Sequence, residues 1–208
     1  MPNSTLPRSY SYLALGDSYT IGESVAYDEC FPAQTTALLS INKNFETPRI
    51  IAKTGWTTDE LATNIKQQNI RNTFDFVSLL IGVNNQYRGR DTANYRKEFS
   101  QLLDTAIKCA NNKPSHVMVL SIPDWGVTPF ALNSGRDRTQ IAKEINWFNS
   151  ISKWVAEQRG AIFIEITAHS RKAAADASLI AQDGLHPSGK MYEFWAQQLA
   201  NIILTKLK

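Results

Sequence analysis

The stretch SYLALGDSYTIGES at residues 11–24 passes from an apolar run into a polar turn at Gly16-Asp17-Ser18. Four more short apolar runs follow along the chain. Each run is largely apolar on both faces, which is typical of strands in a parallel sheet that is covered on both sides. We therefore predict buried strands at residues 11–16, 49–53, 76–82, 116–122 and 161–166.

Longer amphipathic segments separate these runs. We predict helices at residues 31–41, 57–68, 91–110, 136–159 and 186–207. The second helix carries Thr57 and Glu60 at the spacing of a capping box. The aromatic residues Trp147, Phe148, Trp154 and Trp195 lie on predicted helices, and we expect them in the core.

The alternation of strands and helices predicts the architecture. Parallel strands joined by right-handed crossovers are the usual result of such a pattern. We predict one α/β domain over residues 1–208, a three-layer α/β/α sandwich around a five-stranded parallel sheet. The expected strand order is the flavodoxin-like order 2-1-3-4-5.

Composition and charge exclude several classes of protein. The 208 residues carry 22 Lys and Arg against 19 Asp and Glu, and this small, scattered surplus argues against a nucleic-acid partner. Cys30 and Cys109 lack metal-site spacing and fit reduced thiols. Without an apolar run of about 18 residues no membrane span is expected, and without a signal-peptide pattern we expect a cytoplasmic location. Oligomeric state stays open.

Polar residues follow the predicted strands where ligands of open α/β sheets bind, beyond the carboxyl ends of the strands. Ser18 follows the first strand, Gly55 the second and Asn84 the third, while Asp183 and His186 precede the last helix. We expect these residues along one rim of the sheet.

Their chemistry is that of nucleophilic catalysis. A serine hydroxyl such as that of Ser18 needs a base to remove its proton, and His186 is the candidate base. Asp183 can orient the imidazole and stabilise its charged form. The backbone N–H groups of Ser18 and Gly55 and the side-chain amide of Asn84 are candidate donors to an oxyanion.

These residues resemble the GDSL, or SGNH, hydrolases. Gly16-Asp17-Ser18-Tyr19 is similar to the first sequence block of that family, Gly55 to the second-block glycine and Asn84 to the third-block asparagine. The segment DGLHPS at residues 183–188 is similar to the final block. The resemblance implies a flavodoxin-like three-layer fold and hydrolysis of esters or thioesters of lipids, carbohydrates and small acyl compounds. It implies no metal and no other cofactor. The expected partner of the protein is a small-molecule ester substrate.

One position departs from the family pattern. The third block often reads Gly-x-Asn-Asp, but here Asn85 takes the place of the aspartate. The departure bears on how that loop is braced, while the proposed oxyanion donor at Asn84 is retained.

Flanking residues and alternative functions complete the prediction. Residues that flank the strand ends are candidates for the substrate pocket: Tyr19, Ile21, Trp56, Trp125 and Phe130.

Asp17 is expected to brace the turn by accepting N–H bonds. It is also the best support for an alternative, a flavodoxin-like phosphate- or nucleotide-handling domain, although no Gly-rich phosphate loop is present. A degenerate binding module is a third possibility. The acyl group and the leaving group stay open.

Overall fold

The main sheet of the protein has five parallel strands flanked by helices. The computed structural model describes residues 8–207. The strands are β1 (Ser9–Tyr10), β2 (Tyr12–Asp17), β3 (Asn44–Phe45), β4 (Arg49–Lys53), β5 (Phe76–Leu80), β6 (Val117–Leu120) and β7 (Ile162–Ile164). The helices are α1 (Ser18–Ile21), α2 (Phe31–Ser40), α3 (Thr58–Gln67), α4 (Val83–Tyr87), α5 (Thr92–Cys109), α6 (Pro129–Asn133), α7 (Arg138–Gln158), α8 (Thr167–Ser170) and α9 (Gly189–Lys206).

The sheet order is β4-β2-β5-β6-β7, which is 2-1-3-4-5 when its own strands are counted along the chain. This confirms the predicted fold class and strand order. A second, two-stranded sheet of β1 and β3 was not predicted, and neither were the short helices α1 and α4, which follow β2 and β5 directly.

The core lies on both sides of the central strands. Strands β2, β5 and β6 are buried throughout. The prediction of a strand buried on both faces was wrong for residues 49–53, because β4 lies at the edge of the sheet. Arg49 and Lys53 are exposed there, and only Ile51 is fully buried.

Gly16 lies where β2 ends, paired with Ala52 on one side and Leu80 on the other. A Cβ atom at this position would lie 2.4 Å from the Leu80 carbonyl oxygen and 2.0 Å from Thr20 Oγ1. Any side chain would therefore push apart the two strands and the helix turn that carries Ser18.

The predicted helices are present with small changes at their ends. At the start of α3, Glu60 accepts a 2.8 Å hydrogen bond from the Thr57 backbone N–H, which is the Glu60 half of the predicted capping box. The last helix begins at Gly189 rather than at residue 186, because Pro187 forms a bridge with Ile180 and Ser188 caps the helix. No helix within residues 8–207 combines the length and apolar character needed to cross a membrane.

Two of the four aromatic residues that were expected in the core lie at the surface. Phe148 and Trp195 are buried as predicted, whereas Trp147 is 62% exposed and Trp154 is 45% exposed. The buried stripe of α7 runs through residues such as Ile141, Ile145, Phe148 and Val155, and the two tryptophans fall outside it.

Candidate active site

A cavity of about 170 Å³ lies beyond the carboxyl ends of the strands, where the sequence predicted a site. It brings together Ser18, Asn84 and His186, which lie far apart along the chain. Its complete lining consists of Ser18, Tyr19, Val83, Asn84, Tyr87, Trp125, Phe130, Leu185 and His186.

The turn before Ser18 is braced by Asp17. Asp17 caps α1, and its Oδ1 atom accepts a 3.1 Å hydrogen bond from the backbone N–H of Tyr19. This contact confirms the predicted bracing role. Ser18 is the first residue of α1, and the first N–H groups of a helix have no acceptor within the helix.

Asp17 is also a fully buried carboxyl group. Its Oδ2 atom has no hydrogen-bond partner among residues 8–207. Burial raises the pKa of Asp17 to about 7, although the hydrogen bond from Tyr19 acts in the opposite direction. A carboxyl group without solvent access cannot contact a phosphate or a nucleotide, so the main support for the alternative function is lost.

Asp183 and His186 form a tight pair in the segment before α9. His186 Nδ1 lies 2.5 Å from Asp183 Oδ2, and Asp183 Oδ1 accepts from the backbone N–H groups of Leu185 and His186. Gly184 makes the turn possible with a φ of +73°. Asp183 thus contacts the imidazole that it was predicted to orient.

The Asp183 carboxylate of this pair is held in its ionised form. Burial by itself would raise the pKa of Asp183, but the hydrogen bonds from His186, from the two backbone N–H groups and from Ser24 outweigh it and lower this pKa to about 2. His186 is only 8% exposed. The Tyr19 ring packs edge-on against its imidazole ring, with 5.5 Å between the ring centroids.

Ser24 is a contact of this pair that the sequence did not indicate. Its hydroxyl donates to Asp183 Oδ2 at 2.8 Å. No motif or spacing links residues 24 and 183, so only the folded structure reveals the contact.

Ser18 and His186 line the same cavity, but the Ser18 hydroxyl makes no hydrogen bond within residues 8–207 of this structure. In hydrolases without substrate the hydrogen bond between nucleophile and base is often long and tightens only in the complex. The cavity therefore brings together a hydroxyl and an imidazole, the two groups that acyl transfer needs, without a hydrogen bond between them.

Of the candidate oxyanion donors, Asn84 lies at the cavity, whereas Gly55 does not. The Asn84 side chain lines the cavity and donates one N–H to the Trp56 carbonyl oxygen at 3.0 Å, which leaves a second N–H on the same amide. Gly55, with a φ of +81°, is not one of the lining residues. Its carbonyl accepts a 2.7 Å hydrogen bond from Arg88, which ties its turn to the end of α4.

Asn85 braces the loop without the charge of the usual aspartate. Its Oδ1 accepts from the Thr58 backbone N–H at 3.1 Å, and its Nδ2 donates to Thr58 Oγ1 at 2.7 Å. The Thr58 hydroxyl in turn donates to Glu98. In this chain of hydrogen bonds the negative charge lies on Glu98 of α5, whereas in the usual family pattern it lies on the aspartate of the loop.

The predicted pocket residues are only partly in the cavity wall. Tyr19, Trp125 and Phe130 line it, but Ile21 and Trp56 do not. The Trp56 side chain packs against the hydrophobic core instead, and it is the backbone carbonyl of this residue that contacts Asn84. Ile21 is the last residue of α1, and it is only partly buried.

Three lining residues were missed: Val83, Tyr87 and Leu185. Leu185 lies between Asp183 and His186, so its position in the sequence could have indicated it. Val83 and Tyr87 were hidden because residues 83–87 were not predicted as a helix, in which positions four apart share a face.

No three His, Cys, Asp or Glu side chains of the described part of the chain gather where a metal ion could bind. The residues that line the cavity include Ser18 with its hydroxyl, His186 with its imidazole and Asn84 with its amide, and two tyrosines that carry phenol groups. These groups can carry out proton transfer, nucleophilic attack and neutral hydrogen-bond donation.

Comparison with known proteins agrees with this chemistry. The family model described as GDSL-like Lipase/Acylhydrolase matches residues 14–194. A search of curated proteins gave no match.

Solved structures share the fold at low identity. Axe2, an acetylxylan esterase from Geobacillus stearothermophilus, is 17% identical with a TM-score of 0.70, over 93% of this chain and 94% of that one. The esterase EstA from Pseudoalteromonas sp. is 15% identical with a TM-score of 0.69, over 95% and 98%. A member of the lipolytic protein G-D-S-L family from Veillonella parvula is 19% identical with a TM-score of 0.67, over 95% and 97%.

Proposed function

The chain belongs to the GDSL-like lipase/acylhydrolase family and is a carboxylic ester hydrolase, and on that premise we propose that Ser18 is its nucleophile, His186 its general base and Asp183 the carboxylate that orients the base. The observation that carries the proposal is the 2.5 Å contact between Asp183 and His186 at a cavity that Ser18 also lines. The substrate is a small-molecule ester.

The reaction proceeds through an acyl-enzyme. His186 removes the proton of the Ser18 hydroxyl while the oxygen attacks the ester carbonyl, and the imidazolium then returns this proton to the departing alcohol. Asp183 is ionised at neutral pH because its pKa is about 2, so it stabilises the imidazolium without taking up the proton. Water, activated by His186, then releases the acid and restores Ser18.

The negative charge of the tetrahedral intermediate needs preorganised donors. We assign this role to the Ser18 backbone N–H and the free N–H of the Asn84 amide, both from residues that line the cavity. We keep the Gly55 N–H as a third donor. Its support is indirect: the turn is tied to Asn84 through the neighbouring Trp56 carbonyl.

Replacement of the nucleophile tests the proposal. Ser18→Ala should lower kcat/KM on p-nitrophenyl acetate by about 10⁴-fold or more, and it should abolish labelling by a fluorophosphonate probe. The exposed Ser40 offers a matched control, and Ser40→Ala should keep both activity and labelling. A correctly folded Ser18→Ala protein that still turns over the ester would refute the assignment.

A further inference from the structure

Three aromatic rings form one side of the active-site cavity. Tyr87, Trp125 and Phe130, here called the aromatic wall, all line it. Their ring centroids lie 5.4 Å apart for Tyr87 and Trp125, 5.9 Å for Trp125 and Phe130, and 6.3 Å for Tyr87 and Phe130. Because each ring contacts the other two, displacement of one ring would change the shape of the whole wall.

The cavity that this wall bounds is small. Its volume of about 170 Å³ lies below the roughly 300–1,000 Å³ of pockets that enclose drug-sized ligands. The position of the aromatic wall therefore decides how large a group fits beside Ser18.

Trp125 is the most constrained ring of the wall. It is 2% exposed, and its indole N–H donates a 2.8 Å hydrogen bond to Gln86 Oε1. Gln86 is itself 1% exposed. Burial makes an acceptor for an indole N–H favourable, so this bond stabilises one orientation of the ring.

Gln86 is held in turn by a charged pair. Its amide nitrogen donates to Glu144 Oε2 at 2.6 Å, and the same carboxylate oxygen accepts from Arg136 at 3.0 Å. The Arg136 guanidinium also lies over the rings of Trp125 and Tyr87, 5.3 Å and 5.7 Å from their centroids.

These contacts close a loop from the wall through the polar residues and back to the wall. Since the Gln86 oxygen faces Trp125 and its nitrogen faces Glu144, the carboxylate determines which end of the amide points to the indole. Burial alone would raise the pKa of Glu144, but hydrogen bonds from Gln140, Gln86 and Arg136 and the charge of Arg136 lower it. The acceptor thus stays ionised at neutral pH.

We propose that Gln86 is a positioning residue that fixes the Trp125 indole in the aromatic wall and thereby restricts this site to esters of short acyl chains. The inference rests on the proposed function, because it places the acyl group at Ser18. The acyl group is the part of the ester that stays bonded to Ser18 Oγ after the alcohol has left, so it lies beside the aromatic wall through both half-reactions.

The experiment compares acyl chain lengths in matched variants. Gln86→Leu keeps a side chain of similar size but removes both hydrogen bonds. Gln140→Leu is the control, because Gln140 donates to the other oxygen of Glu144 at 2.9 Å, whereas the Trp125 indole N–H donates to Gln86. The measured quantity is the ratio of kcat/KM for p-nitrophenyl acetate to that for the octanoate.

We expect the wild type and Gln140→Leu to prefer acetate by a similar ratio, and Gln86→Leu to lower that ratio about tenfold. Loss of folded enzyme would lower both rates equally, so the ratio separates positioning from mere stability. An unchanged ratio in Gln86→Leu overturns the inference. The inference is also overturned if Gln86→Leu changes only the relative kcat/KM values of acetate esters that differ in their alcohol.

Trp125→Phe removes the same hydrogen bond from the other side and carries the test if Gln86→Leu does not fold. It should shift the ratio in the same direction. Where Gln86→Leu does fold, combining the two substitutions should shift the ratio little further than either alone. Failure of the proposed function looks different, because Ser18→Ala would then hydrolyse both esters. An unchanged ratio together with Ser18-dependent hydrolysis refutes only the role of Gln86.

Discussion

The Ser24 hydroxyl donates a 2.8 Å hydrogen bond to Asp183 Oδ2, the same carboxylate oxygen that lies 2.5 Å from His186 Nδ1. Ser24 holds this position with a φ of +67°, in the left-handed region that non-glycine residues rarely occupy. The carboxylate therefore receives a donor from the loop after α1 in addition to those of its own turn, which ties the loop near the nucleophile to the general base.

Ser24→Ala should make the protein less stable in a pH-dependent way. The pKa of Asp183 is lowered to about 2 from its ordinary value of 3.8, so its contribution to folding is present above about pH 4 and is lost as the pH falls towards 2. Loss of one donor raises this pKa. The difference in the free energy of unfolding between wild type and variant should be full above about pH 4 and shrink below it, as measured by urea unfolding.

Ser24→Gly is the matched control, because it removes the same hydroxyl and relieves the positive φ. It should show the same dependence on pH from a higher baseline of stability. A difference between wild type and Ser24→Ala that does not vary between about pH 2 and pH 6 would contradict the role of the hydroxyl.

Asn84→Ala should lower kcat about 10²–10³-fold and leave KM nearly unchanged. The reason is that an oxyanion donor stabilises the transition state more than the bound ester. Steady-state kinetics on p-nitrophenyl acetate provide the measurement. Asn201→Ala, at an exposed position of α9, should behave as wild type, and a normal kcat in Asn84→Ala would place this amide outside the reaction.

Asn85→Asp, which introduces the aspartate usual in the family, should destabilise this protein by about 1–3 kcal/mol. The new carboxylate cannot donate to Thr58 Oγ1, whose hydroxyl is already directed at Glu98. Two carboxylates would then compete for one hydroxyl. The free energy of unfolding from urea titration measures the effect.

The double variant Asn85→Asp with Glu98→Gln should recover much of that loss, because it removes the second charge while keeping an acceptor for Thr58. Glu98→Gln alone is the control and should cost little. If the double variant is as unstable as Asn85→Asp, then repulsion and competition between the introduced carboxylate and Glu98 are not the cause of the loss.

Asp17→Asn should become relatively more stable than wild type as the pH rises. Burial raises the pKa of Asp17 from 3.8 to about 7, so its neutral form stabilises the fold at low pH and this contribution is lost between about pH 4 and pH 7. Asparagine keeps an acceptor for the Tyr19 N–H and does not ionise. Thermal unfolding of both proteins across this range measures the trend, and a constant difference in stability would show that Asp17 does not titrate there.

How far the sequence reached is clear from particular residues. The apolar runs and the helices between them predicted the strand order, since right-handed crossovers leave few alternatives. The position of Ser18 after β2 and the segment Asp183 to His186 before α9 predicted which residues meet at the cavity. These are local patterns, read from neighbours in the chain and from the rule that strand ends share one edge of the sheet.

The remainder depended on contacts between distant segments. The edge position of β4, the exposure of Trp147 and Trp154, and the absence of Ile21 and Trp56 from the cavity lining follow from side-chain packing, to which the apolar pattern is insensitive. Gln86 was not singled out from the sequence, yet its amide contacts both Trp125, 39 positions away, and Glu144, 58 positions away.

The sequence by itself determined the fold, the family and the chemical types that meet beyond the strand ends, because periodicity, turn residues and motif order are properties of the chain. The tertiary structure alone decided how Ser24 contacts Asp183, how Asn85 is linked through Thr58 to Glu98, and how three aromatic rings come together beside the cavity. Those relations depend on the directions of side chains brought together by folding, and no spacing along the chain encodes them.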